Sequence, residues 1–235
     1  MHTASGFTLT ELLIVITVIA IVASIAIPNL RSSRLGANES AAVATLKSIA
    51  SAQAQCRASG FIDANSNGVG EYGFFGELSG VSKLRRDQVG GVRAEVLDPP
   101  LLAGAFRRIN QRSVIRSGYV FGLWLASPSG VPVRENATGG SSGLAIGAAR
   151  AEIYWIAYAW PKSYDNSGNR VFFVNQTGDV LSSRNKATKY SGTDFTFPWD
   201  AAFAGGVATV TMGSSIAANS TAAAPRSKKC SSIFL

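Results

Sequence analysis

The chain has 235 residues and a formal net charge of +8, with 22 lysines and arginines against 14 acids. Hydrophobic residues make up 46% and charged residues 15%, which excludes wholesale disorder. Two cysteines are too few for a disulfide-dense scaffold or a four-cysteine zinc site. The one histidine is His2, so removal of the first residues would exclude histidine chemistry.

The N-terminal region is dominated by an apolar segment, residues 12–27, which contains no charged side chain. As a helix it would rise about 24 Å, and with its flanks it is long enough to cross a bilayer. A secretory signal peptide is the ordinary alternative. No lysine or arginine precedes the segment, and Pro28 and Asn29 follow it instead of a small-residue cleavage site. These features favour a retained helix.

The residues before this segment form a specific motif. Residues 6–13 read Gly-Phe-Thr-Leu-Thr-Glu-Leu-Leu, and this motif resembles the processing site of type IV pilins and type II secretion pseudopilins. The resemblance implies that a prepilin peptidase cleaves between Gly6 and Phe7 and that the new N-terminal Phe7 is N-methylated. Glu11 then falls on the family's acidic position, and Pro28 falls on its helix-interrupting proline.

Glu11 presents a chemical problem of its own, because a carboxylate at the edge of a membrane is costly without a partner. The first cation after it in the sequence is Arg31. Cleavage after Gly6 would create an amino group on Phe7, and we expect this amine, from the same or a neighbouring subunit, to neutralise Glu11. Phe7 and Glu11 are therefore predicted assembly residues, and the resemblance to the family adds Pro28 to them.

The rest of the chain predicts an α+β fold of pilin-like layout, a long N-terminal α-helix packed against an antiparallel β-meander. Apolar residues recur at helical spacing from Leu35 to Cys56, and Gly60 supplies a stop signal. Pro28 should bend or locally melt the helix. Aromatic and β-branched runs at 119–125, 152–160 and 170–175 predict strands.

These patterns divide the chain into six segments. Residues 1–6 are the leader, 7–30 the transmembrane or filament-core half of the helix, and 31–59 its amphipathic half. Residues 60–118 form a connecting region, and 119–211 form the sheet domain. Residues 212–235 are an Ala/Ser-rich tail that contains Cys230.

A segment after the long helix has the spacing of a calcium-binding loop. Oxygen-bearing side chains alternate from position 63 and are followed by Gly68. Phe74 occupies the position where an EF-hand needs a bidentate glutamate, so we expect weak binding at most, and an Asx-rich turn is the alternative. No cofactor other than calcium is expected. The candidate ligands are Asp63, Asn65, Asn67, the Val69 carbonyl and Glu71.

The two cysteines, Cys56 and Cys230, are predicted to form a disulfide. If the N-terminal helix is the anchor, the remainder of the chain faces an oxidising compartment in which lone thiols pair. The alternative is that Cys56 is a small buried apolar residue and Cys230 is free or linked to another subunit.

The resemblance implies a structural filament subunit rather than an enzyme. Its partners would be other copies of itself, the prepilin peptidase and an inner-membrane assembly platform. The chain would span the inner membrane once before assembly, then lie in an extracellular filament or a periplasmic pseudopilus. A type II secretion pseudopilin is one alternative, and a membrane-tethered enzyme or binding domain is another.

A third alternative is a minor pilin that captures DNA, because clustered arginines favour phosphate. A solvated basic loop is the simpler interpretation, so nucleic acid is the less favoured partner. The cluster consists of Arg85, Arg86, Arg107, Arg108, Arg112 and Arg116.

Overall fold

The computed structural model describes residues 7–86, 91–141, 145–194, 197–204 and 211–217, with the backbone alone at residues 86 and 91–94. Gly6 and Cys230 lie outside the described residues.

The dominant element is α1, a helix of 51 residues from Leu9 to Ser59. Thr8 caps its first turn, and Gly60 ends it in the left-handed conformation with φ 61°, which glycine adopts without strain. The helix continues through Pro28, where we predicted a bend or local melting. The expectation of melting was wrong, because proline removes a single donor and the hydrogen bonds of the flanking turns remain. A bend at Pro28 stays a prediction.

The two halves of α1 differ in burial. The side chains from Leu9 to Ala37 do not pack into a core, although most of those before Leu30 are apolar. From Ala42 onward one face is buried against the rest of the chain, as the 3.6-residue periodicity predicts. The residues of this buried face are Ala42, Thr45, Leu46, Ile49, Ala52, Gln53 and Cys56.

The strands form two antiparallel sheets. The smaller sheet pairs β1 (Lys83–Arg86) with β2 (Gly91–Val96). The larger sheet has seven strands in the order β3-β4-β5-β7-β8-β9, with β6 also paired to β5. Its strands are β3 (Ile109–Asn110), β4 (Ser113–Arg116), β5 (Tyr119–Ala126), β6 (Pro132–Arg134), β7 (Trp155–Pro161), β8 (Val171–Asn175) and β9 (Leu181–Ser183). The antiparallel architecture on a long helix confirms the predicted fold class.

Both faces of the larger sheet are buried at its central strands, β5, β7 and β8. In β7, Trp155 and Ala157 belong to the core under α1, whereas Tyr158 and Trp160 belong to a second, aromatic core on the opposite face. Side chains from 197–203, together with Met212 and Ile216, pack against this second core, and the Tyr158 hydroxyl donates to the Trp199 carbonyl at 2.7 Å. Burial on both sides explains why β5 and β7 read as continuous apolar runs rather than as alternating patterns.

The connecting region differs from the predicted loop. It contains the short helix α2 (Phe75–Leu78), the sheet β1–β2 and the strands β3 and β4, so the larger sheet starts at Ile109 rather than at residue 119. These elements are only two to six residues long, and their hydrophobic pattern is too brief to be recognised. A further short helix, α3 (Ala148–Ala151), precedes β7.

Candidate functional site

The first candidate site is the exposed half of α1. The described residues contain one helix long and apolar enough to cross a membrane, and none of its most apolar stretch is buried within the chain. Large side chains such as Leu12, Ile19 and Ile25 are each about 60% exposed. A surface this apolar requires a lipid or protein environment.

Glu11 lies in the first turn of this helix and completes a reciprocal cap. Its Oε2 accepts hydrogen bonds from the Thr8 backbone nitrogen at 2.8 Å and the Thr8 hydroxyl at 2.7 Å. The Glu11 nitrogen in turn donates to Thr8 Oγ1 at 3.3 Å. The carboxylate therefore lies beside the backbone of Phe7, where processing would create an amino group. The Thr8-x-x-Glu11 spacing is a capping-box signature that the sequence reasoning missed.

The predicted calcium ligands lie in one hydrogen-bonded loop. Both carboxylate oxygens of Asp63 accept from backbone nitrogens, those of Asn67 and Gly68. The side-chain oxygens of Asn65 and Asn67 also accept backbone hydrogen bonds, and both side-chain amides donate to Glu152 Oε1, at 2.7 and 3.0 Å. The loop thus has the geometry of an Asx-rich turn, and Glu152 is a neighbour that the sequence pattern did not reveal.

Glu71, the last predicted ligand, points elsewhere. Its Oε1 accepts from the Ala64 nitrogen, and its carboxylate is buried beside Arg85. Among the described residues, no group of three histidine, cysteine, aspartate or glutamate side chains is placed to hold a metal ion. Calcium binding by this loop stays a prediction.

If calcium binds here, it must displace the backbone donors from Asp63, so we expect at most a modest effect. Millimolar calcium should raise the thermal midpoint of the full-length chain in detergent by about 1–2 °C, with Asp63→Asn abolishing the rise. Differential scanning fluorimetry with and without a chelator measures this. An unchanged midpoint in the unsubstituted chain would leave the loop as a turn only.

A cluster of buried charges lies where α2 and β1 approach α1. Arg85 Nη2 is 3.5 Å from Glu71 Oε2, and Arg85 Nε is 3.5 Å from Glu77 Oε1, with all three side chains about 1% exposed or less. Arg85 also donates to the Tyr72 carbonyl and lies over the Phe74 ring. Burial raises the pKa of Glu71 and of Glu77, and the positive charge of Arg85 opposes both increases.

Glu135 is a third buried carboxyl group near this cluster. Its Oε2 accepts from the Gly76 nitrogen at 3.1 Å, while Oε1 has no hydrogen-bond partner among the residues that the structure describes. Burial raises the pKa of Glu135 to about 8, and the backbone donors of Gly76 and Gly140 oppose that increase. Glu135 is therefore largely protonated at neutral pH.

We expect Glu135 to make the chain less stable as pH rises. Because the pKa of Glu135 is raised, the folded chain keeps a proton that the unfolded chain releases. The stabilising contribution of the protonated Glu135 is therefore complete below about pH 4.5 and is lost as pH rises to about 8. Glu135→Gln keeps the acceptor for Gly76 and removes the charge. Urea unfolding should show that the variant is more stable than the unsubstituted chain by about 1–3 kcal/mol at pH 9 and by almost nothing at pH 4. Equal effects at both pH values would contradict this.

The structure locates one of the two cysteines. Cys56 is fully buried, and its thiol donates to the Glu71 carbonyl at 3.5 Å. Burial, reinforced by the negative charge of Glu77, raises the pKa of this thiol to about 12, so the reactive thiolate is scarce. The disulfide with Cys230 stays a prediction, because Cys230 lies outside the described residues.

The predicted arginine cluster is only partly a surface feature. Arg85 is buried among carboxylates and cannot contact a polyanion, whereas Arg107, Arg108 and Arg112 are exposed. The side chain of Arg86 is not among those described. Arg85 was mistaken for a surface cation because nothing in the local sequence around it marks the carboxylates that surround it in the fold.

The comparisons with known proteins address the N-terminal segment. A family model described as "Prokaryotic N-terminal methylation motif" matches residues 1–27. The type IV wide pilus major component PilA4 of Thermus thermophilus is 54% identical over 46 residues, which are 20% of this chain and 35% of that protein. The chain thus matches little more than a third of that relative's length. No solved structure matches the chain significantly.

The motif match includes Gly6, Phe7 and Glu11, and it ends one residue before Pro28. The similarity to PilA4 and the exposed helix agree with the resemblance found in the sequence. The chain therefore carries a prokaryotic N-terminal methylation motif and is similar to a type IV pilus component near its N-terminus, on a pilin-like α+β fold.

Proposed function

We propose that this chain is the structural subunit of a type IV pilus-like filament and that it polymerises through the exposed half of α1 after prepilin peptidase cleaves between Gly6 and Phe7. The observation that carries this proposal is the combination of the methylation motif with a helix whose apolar half has no cover in the chain itself, as far as the described residues show. A bilayer supplies that cover before assembly, and the helices of neighbouring subunits supply it afterwards.

The structure of α1 supports this exchange of environments. The apolar half is continuous with the amphipathic half that holds the sheet, so the apolar half projects from a folded body. Among residues 7–30, Glu11 has the only charged side chain. An inner-membrane assembly platform would move the subunit from bilayer to filament. A prepilin peptidase would act earlier, at the junction before Phe7.

A pseudopilin of a type II secretion system remains the alternative, because the same helix serves both assemblies. The location of the assembly distinguishes the two. Electron microscopy of surface-sheared material, with the subunit identified by mass spectrometry, should reveal filaments that contain this chain and disappear when its gene is deleted. Absence of the chain from sheared filaments, together with its presence in a periplasmic fraction, would favour the pseudopilin.

A further inference from the structure

One end of the larger sheet is held against the middle of α1 by side-chain contacts. Arg31 donates to the Asp165 carbonyl at 2.9 Å and lies 3.3 Å from its carboxylate. The Asn38 amide donates to the Ser167 carbonyl at 2.9 Å. These contacts join the β7–β8 loop, residues 162–170, to the part of the helix that directly follows the apolar half.

Two other connections lie at the same end of the sheet. The β4–β5 turn is adjacent because the Lys162 nitrogen donates to the Gly118 carbonyl at 2.8 Å. The loop after β9, residues 184–192, is adjacent because Ser183 is paired with Val171, the first residue of β8. The Lys189 ammonium also lies 5.6 Å from the centre of the Tyr164 ring.

This end of the protein carries mostly positive charge. It has eight basic side chains and three acidic ones, which are Glu39, Asp165 and Asp194. Glu39 forms an ion pair with Arg170, and Asp165 forms one with Arg31. Seven of the eight cations are exposed, and Arg116 is half-buried. We call this surface the basic rim; its residues are Arg31, Arg34, Arg116, Lys162, Arg170, Arg184, Lys186 and Lys189.

The position of the basic rim is fixed relative to a membrane. A helix from Leu9 to Leu30 rises about 33 Å, which matches a hydrocarbon core of roughly 30 Å. Arg31 is the first charged residue after Glu11, so it marks the far interface. The two loops that bear Lys162, Lys186 and Lys189 lie beside this part of α1 and would therefore be near the lipid headgroups when the apolar half of α1 is in a bilayer.

We propose that the basic rim binds anionic lipid headgroups of the membrane that anchors the precursor, and so seats the folded body on the bilayer surface before assembly. This rests on the proposed function only in requiring the membrane-anchored precursor. Clustered lysines and arginines at a membrane surface are attracted to anionic lipids, and that attraction weakens as salt screens it. Neutral headgroups offer no such attraction.

Lysine acylation of the full-length chain in lipid nanodiscs tests this, with mass spectrometry as the readout. Lys162, Lys186 and Lys189 report on the rim, and Lys47, exposed about 24 Å farther along α1 than Arg31, is the internal reference. In discs with about 30% phosphatidylglycerol, the reactivity of the rim lysines relative to Lys47 should fall about threefold or more compared with phosphatidylcholine discs. About 0.5 M salt should restore it.

Charge-neutral variants provide the matched comparison. Replacing Lys162, Lys186 and Lys189 by glutamine should remove the lipid-dependent slowing of hydrogen exchange at the loop amides of Ser163 and Ser167. A control with three distant cations replaced should retain that slowing; its substitutions are Lys47→Gln, Arg57→Gln and Arg112→Gln. Equal lysine reactivity in the two lipids, with the chain inserted, would contradict lipid binding by the basic rim but not the membrane anchor. A chain that does not co-elute with the discs would contradict both the membrane anchor and lipid binding by the basic rim.

Discussion

Replacing Glu11 with alanine is expected to leave a folded, membrane-inserted chain and to reduce filament yield by at least about tenfold. In the assembled filament the Glu11 carboxylate would lie in an apolar interior with the Phe7 amine as its partner, and removal of one partner leaves the other charge uncompensated. The folded body of the protein should be unaffected, because the hydrogen bonds described for Glu11 outside the regular helix pattern all join it to Thr8. Quantitative immunoblots of sheared and membrane fractions measure both quantities.

The capping geometry provides two informative controls. Glu11→Gln keeps an oxygen that can accept from the Thr8 nitrogen but removes the charge, so it should impair filaments nearly as much as alanine. Thr8→Val removes the capping hydroxyl but keeps the carboxylate, so it should retain most filaments. If Thr8→Val is as damaging as Glu11→Ala while Glu11→Gln is harmless, Glu11 acts as a helix cap rather than as a charge.

Replacing Arg85 with methionine is expected to lower the free energy of unfolding by about 3 kcal/mol. Arg85 is the one cation within ion-pair distance of the buried Glu71 and Glu77 carboxylates, as far as the described residues show. Its removal leaves both acids without that partner, and they must then be neutralised by protons. The loss of stability should be smaller at pH 5 than at pH 8, because Glu71 and Glu77 are more readily protonated at the lower pH and the folded variant then buries less uncompensated charge.

The matched control is Arg108→Met, which removes an exposed arginine from the same region and should change stability by less than about 0.5 kcal/mol. The double substitution Arg85→Met with Glu71→Gln should recover part of the lost stability, because it removes one of the stranded charges. Urea unfolding of the full-length chains in detergent provides the comparison. Equal stability of the Arg85 and Arg108 variants would contradict a role for the buried ion pairs.

The elements that the sequence predicted share a strong local signal. The motif around Gly6 and Glu11, the stop at Gly60 and the aromatic runs of β5, β7 and β8 are each recognisable within about ten residues. The structure confirms the helix end at Gly60 and these three strands, which tertiary contacts stabilise rather than create. The antiparallel order of β7, β8 and β9 likewise follows from the short loops that join them.

The features that the sequence did not reveal depend on residues far apart in the chain. Arg85 is recognisable as buried only once Glu71 and Glu77 are placed around it, and Glu152 meets the Asx-rich loop across 87 residues of sequence. The second aromatic core likewise depends on residues 197–203, Met212 and Ile216, which pack over the sheet from a distant part of the chain. The basic rim is assembled from α1 and three loops, so no single stretch of sequence displays it.

The most direct test of the filament proposal is the intact mass of the chain taken from sheared surface filaments, with sequencing of its N-terminal peptide. The proposal predicts a chain that starts at Phe7 and carries one N-terminal methyl group. A chain in those filaments that retains Met1, or that starts beyond Pro28, would contradict it, because α1 would then lack either the free Phe7 amine or the apolar half through which the subunits are proposed to polymerise.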